Sequence, residues 1–122
     1  MILLDANYIL RYFLADNEKM HITAKDTIQN NYCLLVNEVI AEVVYVLAGV
    51  YNVPKTVIAE KLTSLVQLTN IMMHEDKQYM LKALQVYQSK NLDFVDCCLC
   101  ALSEKYEIKT FDRKLIKCLD IN

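Results

Sequence analysis

Glycine and proline each occur once among the 122 residues, at Gly49 and Pro54, and tryptophan does not occur at all. An all-β sandwich or barrel needs turn residues at every strand reversal, so a chain this poor in them is not one. The same scarcity removes glycine-dependent chemistry. A single glycine cannot write G-x-G-x-x-G, G-x-x-x-x-G-K-[ST] or G-x-S-x-G. A dinucleotide fold, a P-loop NTPase and a hydrolase nucleophile elbow are thereby excluded.

An excess of positive charge is also missing. The net charge is −2 and the pI near 5.6. Proteins that hold nucleic acid by bulk electrostatics are usually basic, so any such contact here must be local or bridged by cations. No run is long enough to span a bilayer. The greasiest, residues 39–50, carries Glu42 and falls short of the ~20 residues required. The five cysteines, at positions 33, 97, 98, 100 and 118, are odd in number and follow no leader sequence. They speak against a disulfide framework and fit a reducing cytoplasm. Cys97, Cys98 and Cys100 read as small buried apolar residues rather than as metal thiolates, because no second C-x-x-C or nearby His completes a site.

What is present is core material. Apolar residues make up 55% of the chain, and its length suits one domain over residues 1–122. Continuous apolar runs at 2–4, 33–36 and 71–73 predict three strands, the first buried on both faces, and residues 108–111 are read as a fourth. Helical spacing of apolar residues follows each of them: Tyr8, Ile9, Tyr12 and Phe13; then residues 20–30; then an apolar helix from Glu38 to about Gly49 with Asn37 as its N-cap. Further helices are expected over 56–68, 76–89, 94–106 and 113–119. Strands alternating with helices argue for an α/β domain with a parallel sheet covered on both faces.

A few of the fifteen acids stand where solvation explains them poorly. Asp5 ends the first strand, and ligands of open parallel sheets bind outside such ends; it reads equally as the N-cap of the next helix, with Asn7 assisting. Glu42 is flanked by apolar residues, so it either binds a cation or lies on a narrow polar stripe with Glu38, four residues earlier. Asp93 and Asp96 begin a helix at i, i+3, which suits a cap at Asp93 better than it suits Asp96, since Asp96 adjoins the buried-looking run from Cys97 to Leu102. Asp112 ends the fourth strand as Asp5 ends the first, and if those strands are neighbours both point into one crevice. Carboxylates so gathered repel one another. A hard divalent cation, Mg²⁺ or Mn²⁺, relieves the repulsion and stabilises charge developing on a phosphoryl oxygen.

Four segments, in order, resemble the PIN domain family, in particular the small VapC-type toxins of toxin–antitoxin pairs. They are Leu3-Leu4-Asp5-Ala6-Asn7, Val39-Ile40-Ala41-Glu42-Val43-Val44-Tyr45-Val46-Leu47, Leu92-Asp93-Phe94-Val95-Asp96-Cys97 and Thr110-Phe111-Asp112-Arg113. The resemblance implies a three-layer α/β/α fold with a central parallel sheet of four to five strands, Mg²⁺ or Mn²⁺ as cofactor, and endoribonuclease activity. It implies Asp5, Glu42, Asp96 and Asp112 as catalytic, metal-holding acids, with Asp93, Asn7 and Thr110 in support. It also implies a homodimer and an antitoxin that blocks the acidic pocket. The cysteines after Asp96 depart from the small alanines usual there. Water would attack the phosphorus in line, the 3′-hydroxyl leaving and a 5′-phosphate remaining on the other fragment. Lys109, Arg113, Lys114 and Lys117 would hold RNA phosphates, or else form a solvated helix end. Two rival readings stand beside this one. An inactive PIN-like binding module would keep the fold without the chemistry. A receiver-like phosphoacceptor domain would need an Asp at the end of the third strand, where Met73 stands.

Overall fold

Three short strands carry the centre of the molecule: β1 (Ile2–Leu3), β2 (Cys33–Leu34) and β3 (Ile71–Met72). They pair in parallel in the order β1-β2-β3, with Ile2 opposite Cys33 and Cys33 opposite Ile71. The computed structural model describes residues 1–121. Parallel pairing requires long crossovers. These are supplied by α1 (Ala6–Leu14) and α2 (Glu18–Asn30) between β1 and β2, and by α3 (Asn37–Gly49) and α4 (Lys55–Val66) between β2 and β3. Beyond the sheet follow α5 (Lys77–Ser89), α6 (Phe94–Leu102) and α7 (Arg113–Ile121). α5 packs against both α4 and α6, and α7 against α6.

The helices begin where short polar side chains meet orphan amides. Asp5 accepts from the Ala6 amide at 2.8 Å, Asn17 from Met20 at 3.0 Å, and Asp76 from Gln78 at 3.0 Å. The Asn37 cap expected from sequence is not formed. α3 starts at Asn37 itself, its N-cap position is Val36, and no side chain bonds there. The chain leaves α3 through Asn52 at φ 54, a left-handed conformation that Asn tolerates better than most residues. One contiguous core joins sheet and helices, with Leu4, Ile9, Leu35, Ile40, Ile71 and Leu84 fully buried in it. Each such side chain stabilises the fold by about 1.5–3 kcal/mol through burial.

Three expectations are corrected. The sheet has three strands among the described residues, not four to five, and residues 108–111 are not a strand. A strand laid beside β1 would have to bury apolar side chains. This segment offers Ile108 to the core, while Phe111 stands fully exposed. Consequently β1 is an edge and is not buried on both faces. Leu3 is 64% exposed, and only Leu4, just past the strand, reaches the core. Finally, Cys100 and Cys118 form a disulfide between α6 and α7, contrary to the expectation of reduced cysteines throughout. The odd count is accounted for by Cys33, Cys97 and Cys98, which are free. Among the described residues, no helix is long and apolar enough to cross a membrane.

Candidate active site

α6 begins at a loop that Lys55 of α4 holds in place. Lys55, the first residue of α4, extends its ammonium across the chain and donates to the carbonyls of Leu92 at 2.8 Å and Lys90 at 3.2 Å. It also lies 4.4 Å from the centre of the Tyr87 ring. These contacts fix the backbone immediately before Asp93. Asp93 occupies the N-cap position of α6, yet its side chain makes no cap bond. The capping role expected for it is therefore corrected, and its carboxylate is left for other partners. One turn on, Asp96 is half-buried. Phe94, buried against Tyr87 in an edge-on contact, and Cys97, fully buried, anchor the helix on either side of it.

The third acid arrives from the start of α7. The Thr110 hydroxyl accepts from the Asp112 amide at 3.0 Å, and one Asp112 carboxylate oxygen accepts from the Leu115 amide at 3.0 Å. Asp112 is thus the cap of α7, with Thr110 shaping the turn that presents it. Asp93, Asp96 and Asp112 line one groove of about 830 Å³, together with Tyr45 of α3, Lys55 and Lys114. Their proximity has an electrostatic consequence. The Asp96 carboxyl is pushed above its ordinary value, first by burial and then by the negative charges of Asp112 and Asp93.

The other two proposed acids, Asp5 and Glu42, are not among the residues that line this groove. Asp5 is exposed and caps α1, and it does not line the groove. The strand pairing expected to bring it beside Asp112 does not form. Glu42 is exposed on α3, as are Glu38 and Tyr45. Its neighbours Ala41 and Tyr45 line the groove while Glu42 does not. Asn7 is held by Arg11, whose Nε donates to it at 3.3 Å. Among the described residues, no group of three or more His, Cys, Asp or Glu side chains is close enough to hold a metal ion as it stands. The donor chemistry of the groove is nonetheless that of a hard cation: carboxylate oxygens under mutual repulsion, with no soft ligand competing. Burial pushes the Cys97 thiol up to about 12 and the Cys98 thiol up to about 11, so neither is a thiolate at neutral pH.

Of the four basic residues, Lys114 lines the groove. It also lines, with Lys117 and Lys90, an adjoining cavity of about 310 Å³ that has no acidic side chain in its wall. Lys109 is paired with Glu107 at 2.9 Å, and Arg113 is exposed.

The PIN domain family model matches residues 2–118, nearly the whole chain, with all four acidic segments inside the match. This protein belongs to the PIN domain family. No curated protein and no solved structure matches it. PIN domains are generally nucleases that act on RNA, typically with divalent metal ions, and they have a three-layer α/β/α fold. In this PIN domain, sequence reasoning overlooked Lys55 and Lys90. Lys55 had a signal: a cation in the first turn of a helix opposes the helix dipole and calls for a partner outside that helix. Lys90 carries no signal in the sequence, since its role depends on α7 lying alongside.

Proposed function

We propose that this PIN domain is a Mg²⁺- or Mn²⁺-dependent endoribonuclease and the toxin of a type II toxin–antitoxin pair. The observation that carries the nuclease reading is the convergence of Asp93, Asp96 and Asp112 in one groove, with the Asp96 carboxyl raised by its neighbours. Asp96 and Asp112 would hold the cation, with Asp5 and Glu42 completing the ligand set. When bound, the ion neutralises the carboxylates and stabilises charge developing on the phosphoryl oxygens. The residues of the chain do the rest. Lys114 and Lys117, with Lys109 and Arg113 nearby in sequence, hold the flanking phosphates. Asp93, whose side chain is not spent on capping α6, would accept a proton from the attacking water at a carboxylate oxygen. Thr110 keeps Asp112 in position through its amide. The order of the four acidic segments supports the toxin role, with a cognate antitoxin and a second copy of the chain as protein partners.

The test is cleavage of single-stranded RNA by purified protein. Cleavage is expected with Mn²⁺, absent with EDTA, and lost in Asp96→Asn. RNA left intact under all conditions would favour the alternative, an inactive PIN-like binding module. The toxin role is tested separately: growth arrest on expression, relieved by co-expression of the product of an adjacent gene, is the expected result.

A further inference from the structure

Tyr45 is 78% exposed on an otherwise strongly apolar helix. Among the described residues it makes no hydrogen bond and no ring contact, so folding gains little from an aromatic side chain there. Its surroundings are open. Ala41 and Ala48 flank it on the groove side of α3, and a Cβ added at Gly49 would meet nothing within 4 Å. The two other aromatics of the groove, Tyr87 and Phe94, are buried. Tyr45 is therefore the one aromatic face that the groove offers to a ligand among the described residues, and it shares that groove with the three acids.

We propose that Tyr45 is the base-stacking residue of this site and that its ring packs on the nucleobase next to the scissile phosphate. This rests on the nuclease reading above. Two observations, together with the nuclease reading, select a nucleotide as the occupant. The groove volume, about 830 Å³, falls within the ~300–1,000 Å³ range of small-ligand sites. On the nuclease reading the acids hold the scissile phosphate inside the groove, and the adjoining nucleotide then lies along its walls. The cavity lined by Lys90, Lys114 and Lys117 continues from the groove through Lys114, which supplies complementary charge for the next phosphate. A tyrosine ring takes any base by its face, which gives a preference for unpaired strands without strong sequence readout. In a duplex the bases are already stacked and paired and are not free to meet Tyr45.

The experiment uses an oligoribonucleotide whose cleavage site has been mapped with the wild-type protein and Mn²⁺. Each base flanking the scissile phosphate is replaced in turn by an abasic ribose, and kcat/KM is measured for the wild type, Tyr45→Ala and Tyr45→Phe. Tyr45→Ala should lower kcat/KM on the intact substrate by roughly 5- to 150-fold, the range for one base–aromatic stack. One abasic position should cause a similar loss in the wild type and little further loss in Tyr45→Ala. Tyr45→Phe, which keeps the ring, should stay within about twofold of the wild type. Wild-type cleavage by Tyr45→Ala would overturn the inference, as would losses that multiply when the variant meets the abasic substrate. A Tyr45→Ala protein that sediments at half the wild-type mass, and loses activity regardless of the abasic position, would assign Tyr45 to contact between copies instead. Wild-type protein that cleaves no RNA at all would overturn the nuclease reading, and this inference with it.

Discussion

Cys100 and Cys118 are joined by a disulfide, their Cα atoms 6.3 Å apart, and the bond ties α6 to α7. Asp96 lies one helical turn before Cys100, and Asp112 precedes Cys118 at the start of α7. Two acids of the groove are therefore carried on helices that are covalently joined. Leu115 of α7 is fully buried in the core that α6 also enters. We predict that reduction lowers the melting temperature. A closed loop with a sequence separation of 18 residues corresponds to about 3 kcal/mol of constraint on the unfolded chain. Thiol titration of the denatured, unreduced protein should find three groups, Cys33, Cys97 and Cys98. Five titratable thiols before reduction, or a melt indifferent to dithiothreitol, would contradict this assignment.

Asp96 should make the metal-free protein pH-sensitive. Its carboxyl is raised in the folded state by burial and by Asp112 and Asp93. Between the unfolded value of about 4 and the raised folded value, the native chain binds more protons than the unfolded chain. Its stabilising contribution is thus fully present below the unfolded value and is lost as pH rises through the folded value. Asp96→Asn should flatten that part of the pH–stability curve, raise the melting temperature of the metal-free protein at pH 7, and abolish Mn²⁺-dependent cleavage. A variant that melts lower than the wild type across the whole pH range would show that the carboxylate is not under repulsion.

At Asp5, stability and activity should separate. Its side chain caps α1 through the Ala6 amide, and Asn can accept the same bond. Asp5→Asn is expected to keep the fold and lose cleavage. Asp5→Ala is expected to lose cleavage as well and to cost about 1 kcal/mol of stability for the missing cap. Full activity in Asp5→Asn, measured beside its denaturation curve, would remove Asp5 from the ligand set.

Glu42 provides the sharpest test of the proposed acids, because it is exposed and makes no hydrogen bond or ion pair among the described residues. Glu42→Gln should change stability by less than about 0.5 kcal/mol in the absence of metal. If Glu42 holds the cation, the same variant should lose cleavage and show a smaller rise in melting temperature with Mn²⁺. Normal cleavage together with a normal Mn²⁺ response would leave Glu42 as part of a solvated stripe.

The α/β class was legible in the spacing of apolar residues. Short continuous apolar runs and a 3.6 period are local marks of buried strand and of helix, and the three strand cores and the helices between them lie where the pattern put them. Helix starts at Asp5, Asp76 and Asp93 were legible for the same local reason, as was the order of the acidic segments. Whether residues 108–111 join the sheet was not legible, because a strand exists only by pairing with another, and Phe111 and its neighbours bury too little to support that pairing. Nor could spacing show that Asp93 leaves its cap bond unmade, that Lys55 reaches across to the loop before it, or that Cys118 meets Cys100. Each of these depends on two segments far apart in the chain being brought within bonding distance. Only the packing of α4, α5, α6 and α7 against one another decides that, because a side chain's partner is set by where the backbones come to rest and not by the residues beside it in sequence.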